Sequence, residues 1–255
     1  EFINNADNLG YNIVFYEINK EITMKVHEYG FNFMKFGESA NVNLEEFNLD
    51  GKKKKNLRKT INKIDREGYK FEVIKKPVDG KTIKRLQEVS NSWLDEGKEK
   101  GFSLGFFDRD YLNTGDIGLV KNPDGKIIAF ANLCPIYYKN WATVDLMRYD
   151  DNIDGLMDYL FINIFSYLKE NGVKYFDLGM APLYNVGVMR HSFLQEKIVY
   201  MIFKLGDHFY SFEGLKTYKD KYASFWEEKY LSYSRGSSLI FSALTLFYTI
   251  NKKVK

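Results

Sequence analysis

The segment IGLVKNPDGKIIAFANLCPIYY, residues 117–138, limits the folds open to this chain more than any other stretch. Two apolar runs flank the sequence Asn-Pro-Asp-Gly, residues 122–125, whose residue types favour a tight turn, so a β-hairpin is predicted. Strand-like and helix-like segments alternate through the rest of the chain. Alternation of this kind, combined with hairpins, predicts a layered α+β or α/β domain.

The composition is that of a packed globular protein. Of 255 residues, 45% are hydrophobic and 17% aromatic, which argues against disorder and allows one large domain or two modest ones. The single cysteine, Cys134, rules out a disulfide within this sequence, and its apolar neighbours favour a buried strand residue over a nucleophile. The three histidines lack zinc-ligand spacing, so we expect no metal site.

A basic run, GKKKKNLRKTINKIDREG, occupies residues 51–68. Leu57, Ile61 and Ile64 form one narrow apolar stripe, which predicts a helix that ends at Gly68. The net charge of the chain is only +3, so this concentration of lysine and arginine is local. A solvated linker helix and a face that binds a polyanion both fit the pattern.

The chain has no apolar stretch of the roughly 18 to 20 residues that cross a bilayer. The C-terminal segment SLIFSALTLFYTINKK predicts an amphipathic helix, which we expect to pack on the body; the alternative is a position at a membrane surface. The chain begins EFINNADNLGY, with neither a methionine nor a signal peptide, so we expect a fragment of a longer protein.

Two apolar strands carry charged residues. TVDLMRYD contains Asp145 and Arg148, which lie on opposite faces if the strand is regular, and FDLGMAPLYNVG contains Asp177 before a loop shaped by glycine and proline. Charges within such strands are costly unless they are paired or functional. An ion pair, or a tight turn with no ligand, is the alternative to a functional site.

The motifs WLDEGKEKGFSLGFFDRDYL, IIAFANL, DLMRYD, GLMDYLF, FDLGMAPLYNVG and HFYSFEGLKTYKDKYASFWEEKYLSY occur in that order. Together they resemble the C-terminal cytosolic domain of the phosphatidylglycerol lysyltransferase family, the multiple peptide resistance factor proteins. The likeness runs from residue 1 almost to the C-terminus, and the combination of DLMRYD with LGMAPLYNVG is its most specific part.

The resemblance implies an α+β fold made of tandem GNAT-like units, the second complete and the first partial. Residues 1–50 would end the first unit, 51–68 would be the basic connecting helix, 69–236 would form the second, catalytic unit, and 237–255 the C-terminal amphipathic helix. Acetyl-CoA is disfavoured as donor, because the junction RYDDNIDGLMDYLF is acidic and has a single glycine where a pyrophosphate would need a glycine-rich turn.

The implied reaction transfers an aminoacyl group, lysine before alanine, from aminoacyl-tRNA to a glycerol hydroxyl of phosphatidylglycerol. The product lipid is less anionic and gives resistance to cationic antimicrobial peptides. Aminoacyl-tRNA acts as co-substrate with no other cofactor, and phosphatidylglycerol at the cytoplasmic face of the bacterial membrane is the acceptor. Relatives carry an N-terminal transmembrane flippase region; the oligomeric state is left open. Lysine-rich helices suit the phosphates of either substrate.

Asp145 and Arg148 are the catalytic candidates. Asp145 would be the general base for the lipid hydroxyl or would bind the α-ammonium of the donor, and Arg148 would bind a lipid or tRNA phosphate. The substrate-binding candidates are Glu99, Asp158, Asp177, Glu196, Lys197, Lys219 and Lys221.

These candidates have different expected roles. Glu99, Asp158 and Asp177 are carboxylates for an ammonium group, and Lys219 and Lys221 match paired lysines of the family. Lys197 stands where the family has arginine, which removes a bidentate fork. The alternatives are an alanyl-phosphatidylglycerol synthase, an aminoacyl transferase acting on a peptidoglycan precursor, and a non-catalytic module that binds membrane or nucleic acid.

Overall fold

A computed structural model describes residues 1–94, 107–136, 140–150, 153–206 and 212–251. In chain order the elements are α1 (Phe2–Asn8), β1 (Val14–Ile18), α2 (Lys20–Glu28), β2 (Asn32–Asn43), α3 (Lys55–Arg66), β3 (Lys70–Ile74), α4 (Gly80–Leu94), α5 (Arg109–Leu112), β4 (Ile117–Lys121), β5 (Ile127–Ile136), β6 (Trp141–Tyr149), α6 (Leu156–Glu170), β7 (Tyr175–Pro182), α7 (Leu194–Gly206), α8 (Phe212–Asp220), β8 (Phe225–Tyr233) and α9 (Leu239–Asn251).

The predicted hairpin is confirmed, because β4 and β5 pair antiparallel on either side of the turn at residues 122–125. The α+β class is confirmed as well, since helices alternate with both antiparallel and parallel strand pairs. Within the described residues, no helix has the length and apolar character needed to cross a membrane.

Internal contacts divide the chain into two compact units. The terminal unit comprises Glu1–Asn41 and Leu178–Lys255, and the central unit comprises Val42–Asp177. This division reflects the density of contacts, so the tandem-unit boundaries inferred from the sequence stay a prediction.

The central unit contains strands in the order β7-β6-β5-β4-β3. Neighbours from β3 to β6 are antiparallel, whereas β6 pairs in parallel with the start of β7, from Tyr175 to Asp177. A parallel pair needs a crossover connection, and α6 supplies it. This arrangement is the GNAT-like pattern that the resemblance implies.

Helices cover both faces of the central strands. On one face, Leu86 and Val89 of α4 join Phe130 and Leu146 in a fully buried cluster. On the other face, the ring of Phe165 in α6 lies 5.1 Å from that of Phe176 in β7. Each large apolar side chain buried in this way contributes about 1.5–3 kcal/mol. The strands that carry the candidate residues are therefore held between two helical layers.

In the terminal unit, β8 lies between β1 and β2 and pairs antiparallel with each. A small cluster of Ala6, Ile13, Val26 and Phe31 packs α1 and α2 together. The second half of β7 also belongs to this unit, where a side chain on Gly37 of β2 would lie 2.5 Å from the carbonyl oxygen of Ala181. The close approach of these two backbones requires glycine at position 37.

The basic run forms α3 as predicted, with Leu57 and Ile64 buried on its apolar stripe. Two cations of the basic run, Lys54 and Arg58, make contacts within the protein. The Lys54 ammonium lies 5.2 Å from the centre of the Phe47 ring and burial lowers its pKa, while the Arg58 guanidinium donates to the carbonyl oxygens of Leu49 and Gly51. Lys52, Lys53, Lys55, Lys59, Lys63 and Arg66 are exposed. This exposed and mainly basic face is accessible to an anionic partner, although Lys63 lies 3.9 Å from the Glu67 carboxylate.

Candidate active site

The strand that carries the two catalytic candidates contains a β-bulge. Ala131 pairs with Met147 and Leu133 with Val144, so two residues of β6 face the single residue Asn132 of β5. The buried Asn132 side chain fills the gap, and its Oδ1 accepts hydrogen bonds from the backbone N–H of Asp145 at 3.1 Å and of Leu146 at 2.7 Å. Bulges change the direction of side chains and are frequent beside active sites. The regular alternation assumed from the sequence is therefore broken at Asp145.

The Asp145 carboxylate accepts a hydrogen bond from the Tyr111 hydroxyl. Tyr111 belongs to the short helix α5, whose N-cap, Asp108, accepts from the Tyr111 N–H at 2.8 Å. Burial, and then the bond to Asp145, raises the pKa of the Tyr111 phenol above its ordinary value. The phenol thus stays a proton donor at physiological pH and fixes one oxygen of the carboxylate.

Cys134 lies beside this pair. Its Sγ is 3.4 Å from the Nδ2 of Asn132, and burial, followed by the charge of Asp145, raises the pKa of the Cys134 thiol. A raised pKa keeps the thiol protonated, and the thiolate is the reactive form. The sequence predicted a buried strand residue: Cys134 does lie in β5, but its side chain is half-buried and not fully buried.

Arg148 lies in the same strand and has a different environment. Its side chain is almost entirely buried, and the guanidinium carbon is 4.1 Å from the centre of the Trp93 ring of α4. Its Nη1 donates to the backbone oxygen of Met147 at 3.2 Å. Stacking on an aromatic face holds a guanidinium plane in a fixed orientation. The structure thus holds Asp145 and Arg148 through separate aromatic side chains; phosphate binding by Arg148 stays a prediction.

Two of the three predicted carboxylates lie in the described part of the central unit. Asp158 is buried in the first turn of α6, where the helix dipole favours a negative charge. Asp177 ends the parallel pairing of β7 with β6, and its backbone oxygen accepts from the Thr143 hydroxyl at 2.9 Å. Glu99, the third, lies outside the described residues.

The predicted lysines lie in the terminal unit. The buried ammonium of Lys219 donates to the backbone oxygens of Gly179 at 2.9 Å and Met180 at 2.8 Å, so it binds the end of β7. The ammonium of the exposed Lys221 lies 4.5 Å from the centre of the Tyr218 ring. Contacts of either lysine with a phosphate stay predictions.

Glu196 and Lys197 lie in the first turn of α7, which begins at Leu194. A side chain on Gly187 would lie 2.1 Å from the Glu196 carbonyl oxygen, and Gly187 has a positive φ of 69°. Glycine at 187 therefore allows the loop after β7 to lie directly on the first turn of α7.

The sequence interpretation, which identified Asp145 and Asp177, missed a third carboxylate on a mainly buried strand, Glu38 of β2. This buried side chain accepts from the Lys35 ammonium at 2.5 Å and from the Asn185 amide at 2.7 Å. The Lys35 ammonium also lies 3.2 Å from Glu228 of β8. A charged residue within a mainly buried strand was the signal that identified Asp145, and it applies equally to Glu38.

A cavity of about 260 Å³ opens in the terminal unit beside the loop that carries Asn185. The Lys216 ammonium on its wall lies 5.2 Å from the centre of the Tyr184 ring and pairs with Asp220. The lining residues are Tyr184, Asn185, Val188, Tyr200, Glu213, Lys216 and Thr217. None of the site residues predicted from the sequence belongs to this lining. Among the described residues, no group of three or more His, Cys, Asp or Glu side chains could hold a metal ion.

The strand order and pairing define an α+β domain of the GNAT-like fold class. Residues 1–233 match the family described as "Phosphatidylglycerol lysyltransferase, C-terminal", and the chain belongs to that family. The resemblance found in the sequence is thereby confirmed.

Named relatives agree with this assignment. The chain is 43% identical to phosphatidylglycerol lysyltransferase of Bacillus subtilis (strain 168) over 100% of its own length, and 39% identical to that of Staphylococcus haemolyticus (strain JCSC1435) over 99%. It spans 30% of the length of each of these relatives.

Solved structures share the fold. L-PGS from Bacillus licheniformis is 39% identical with a TM-score of 0.85, and the match covers 99% of this chain and 77% of that one. The C-terminal domain of a putative lysylphosphatidylglycerol synthetase from Agrobacterium fabrum is 34% identical with a TM-score of 0.83, and the match covers 100% of this chain and 78% of that one. FemX, at 10% identity and a TM-score of 0.58 over 91% of this chain and 75% of that one, shares the fold alone.

Proposed function

We propose that this chain is the transferase domain of a phosphatidylglycerol lysyltransferase, which moves lysine from lysyl-tRNA to phosphatidylglycerol. Membership of the family and two named lysyltransferases at 43% and 39% identity support the proposal. The activity in those names belongs to whole proteins, of which this chain spans 30%. The domain-level assignment is therefore our inference.

The reaction exchanges one ester for another. A glycerol hydroxyl of the lipid attacks the lysyl carbonyl carbon, a new ester bond forms, and the ester bond to the terminal ribose of the tRNA breaks. The proton of the glycerol hydroxyl ends on the ribose oxygen. Because the donor ester is already activated, orientation of the hydroxyl and stabilisation of the oxyanion supply most of the catalysis.

The observation that carries the proposal is the Asp145 carboxylate, held at a bulge by the Tyr111 hydroxyl. With one oxygen fixed by Tyr111, the other can accept the proton of the lipid hydroxyl or bind the α-ammonium of the lysyl group. Arg148, oriented by Trp93, would bind a phosphate of either substrate. Asp158 and Asp177 are the described carboxylates for the ammonium groups of lysine.

The exposed lysines of α3 suit the phosphates of tRNA or of lipid headgroups. Both substrates are anionic, so this face raises their concentration near the protein at moderate salt. Each transfer adds lysine to an anionic lipid at the cytoplasmic face of the membrane. The surface charge becomes less negative, which weakens the binding of cationic antimicrobial peptides.

The test supplies labelled Lys-tRNA or Ala-tRNA with phosphatidylglycerol vesicles and measures aminoacylated lipid. We expect lysyl-phosphatidylglycerol as product, and we expect Asp145→Asn to abolish transfer. Asp110→Asn is the matched control, because Asp110 is an exposed carboxylate on the same short helix as Tyr111.

The outcomes separate the alternatives. Product from Ala-tRNA alone would replace lysine with alanine as the donor group. Absence of product from both donors, with the protein folded, would reject the transferase proposal for this chain. Full activity of Asp145→Asn would reject the assigned site and leave the reaction in place.

A further inference from the structure

The terminal unit exposes an apolar surface on α7 and the loop before it. Among the described residues eighteen large hydrophobic side chains are exposed, and six of them lie between residues 188 and 201. These six, which we call the 188–201 face, are Val188, Met189, Phe193, Leu194, Ile198 and Met201. Monomeric soluble proteins rarely leave so dense an apolar group in water without a function.

The spacing shows that this is one helix face and not scattered exposure. Leu194, Ile198 and Met201 follow the i, i+4, i+7 pattern, which places them on one side of α7. Phe193, immediately before the helix, is the most exposed large hydrophobic residue of the described chain at 79%. Such a stripe normally faces a protein core, whereas here it faces solvent.

The charges around the 188–201 face favour one kind of partner, an anionic surface. Arg190, His191 and Lys197 are exposed within the same segment, and Glu196, half-exposed, is its one acidic residue. Apolar side chains interleaved with basic ones characterise segments that lie in the interface of an anionic bilayer. A symmetric contact with a second copy would bring the same basic residues together, which is unfavourable.

We propose that the 188–201 face docks onto the surface of a membrane containing anionic lipid. Phe193, Leu194, Ile198 and Met201 enter the boundary between headgroups and acyl chains, and Arg190 contacts lipid phosphates. This inference rests on the proposed function, whose acceptor is an anionic phospholipid. It adds the surface by which the domain reaches that lipid in a bilayer.

The experiment measures partition of the 255-residue chain onto vesicles, with no tRNA present. The vesicles contain either phosphatidylglycerol with phosphatidylcholine or phosphatidylcholine alone. The variant is Phe193→Ser with Leu194→Ser. The matched control is Ile240→Ser with Phe241→Ser, two side chains of α9 that are 74% and 64% exposed. Phe193 and Leu194 are 79% and 74% exposed, so the two pairs are similar.

We expect the wild-type chain to partition preferentially onto the phosphatidylglycerol vesicles. The α7 variant should lower its partition coefficient by about tenfold or more, because two apolar side chains no longer enter the bilayer. The α9 control should stay within about twofold of wild type if the 188–201 face, and not α9, is the surface that enters the bilayer. Arg190→Gln should reduce only the preference for anionic vesicles, and the loss should diminish at high salt.

Several results would overturn the proposal: no partition of the wild-type chain, unchanged partition of the α7 variant, or an equal loss in the α9 control. A dimer in analytical ultracentrifugation that dissociates in the α7 variant would assign the face to a second copy. Because no donor is present, the outcome is independent of catalysis. Vesicle binding without lysyl transfer would reject the proposed function alone, and transfer with binding independent of Phe193 and Leu194 would reject this inference alone.

Discussion

Replacing Asn132 by leucine tests whether this side chain maintains the bulge that holds Asp145. The amide oxygen of Asn132 accepts from the buried backbone N–H of Leu146 and the partly buried N–H of Asp145, and leucine offers no acceptor in a similar volume. A buried donor left without a partner costs about 1–3 kcal/mol, so the two together cost at most about 2–6 kcal/mol. A central value of about 4 kcal/mol lowers Tm by about 8–16 °C in a chain of this size.

The assay is denaturant and thermal unfolding followed by tryptophan fluorescence, since Trp93 and Trp141 both lie in the central unit. Asn163→Leu is the matched control. Its side-chain amide donates to the Tyr159 carbonyl one turn earlier in α6, and its loss leaves no buried N–H group without an acceptor. We expect the control to change the free energy of unfolding by less than about 1 kcal/mol.

Asn132→Leu should have a second effect, on the rate of transfer, that is independent of its effect on stability. If the bulge relaxes towards a regular strand, the Asp145 carboxylate turns away from the Tyr111 hydroxyl, and the proposed lysyl transfer should fall even in the fraction that remains folded. Equal destabilisation by the two leucine variants, together with unchanged transfer, would refute the role assigned to Asn132.

Three further substitutions test other contacts. Tyr111→Phe should reduce the proposed transfer by about tenfold or more through loss of a charge-assisted hydrogen bond to Asp145, as single-turnover kinetics would measure, and an unchanged rate would contradict this role. Lys219→Met should lower the free energy of unfolding by about 2–5 kcal/mol by leaving two backbone carbonyls of β7 without their donor, as denaturant titration would measure. In Gly187→Ala the new Cβ would lie 2.1 Å from the Glu196 carbonyl oxygen, at a position where φ is positive. Tm should therefore fall by several degrees in a thermal scan, and an unchanged Tm would show that the loop adapts freely.

Local pattern was enough to predict several elements of the fold. Residue periodicity and turn chemistry predicted the β4–β5 hairpin and the basic helix α3, because each follows from contacts within a few turns of chain. The bulge in β6 was not predictable in this way. It depends on Asn132, which meets Asp145 only when two strands pair in one particular register.

The candidate site was predictable only in part, for the same reason. Asp145 and Arg148 were identified as charges within an apolar strand. Tyr111 and Trp93, which orient them, lie on helices far away in sequence, and no local pattern signals an aromatic side chain that will meet a charge. Tyr111 does stand in the FFDRDYL motif used for the resemblance, so a family-level comparison was the one signal that could have found it.

The basic run shows how burial changes a prediction based on charge. By sequence, Lys54 and Arg58 are equivalent to their neighbours. In the structure, Lys54 lies over an aromatic ring and Arg58 binds loop carbonyls, because the segment before α3 folds back beside the start of the helix. Their charge is already engaged within the protein, so neutralising Lys54 or Arg58 should affect folding, whereas the exposed Lys55 and Lys59 should affect only the binding of anions.

Two helices of the terminal unit, α7 and α9, expose apolar side chains, so an apolar face in the sequence does not by itself predict burial. For α9 the sequence favoured packing on the body, yet Ile240, Phe241 and Leu244 are exposed, so intramolecular packing leaves this face uncovered. Apolar spacing predicts that a face will be covered without indicating what covers it. On α7 the flanking basic residues supply that information, since they favour an anionic lipid surface over a second copy of the same patch. For α7, the proposed membrane contact therefore depends on the charge beside the apolar stripe, and not on the stripe alone.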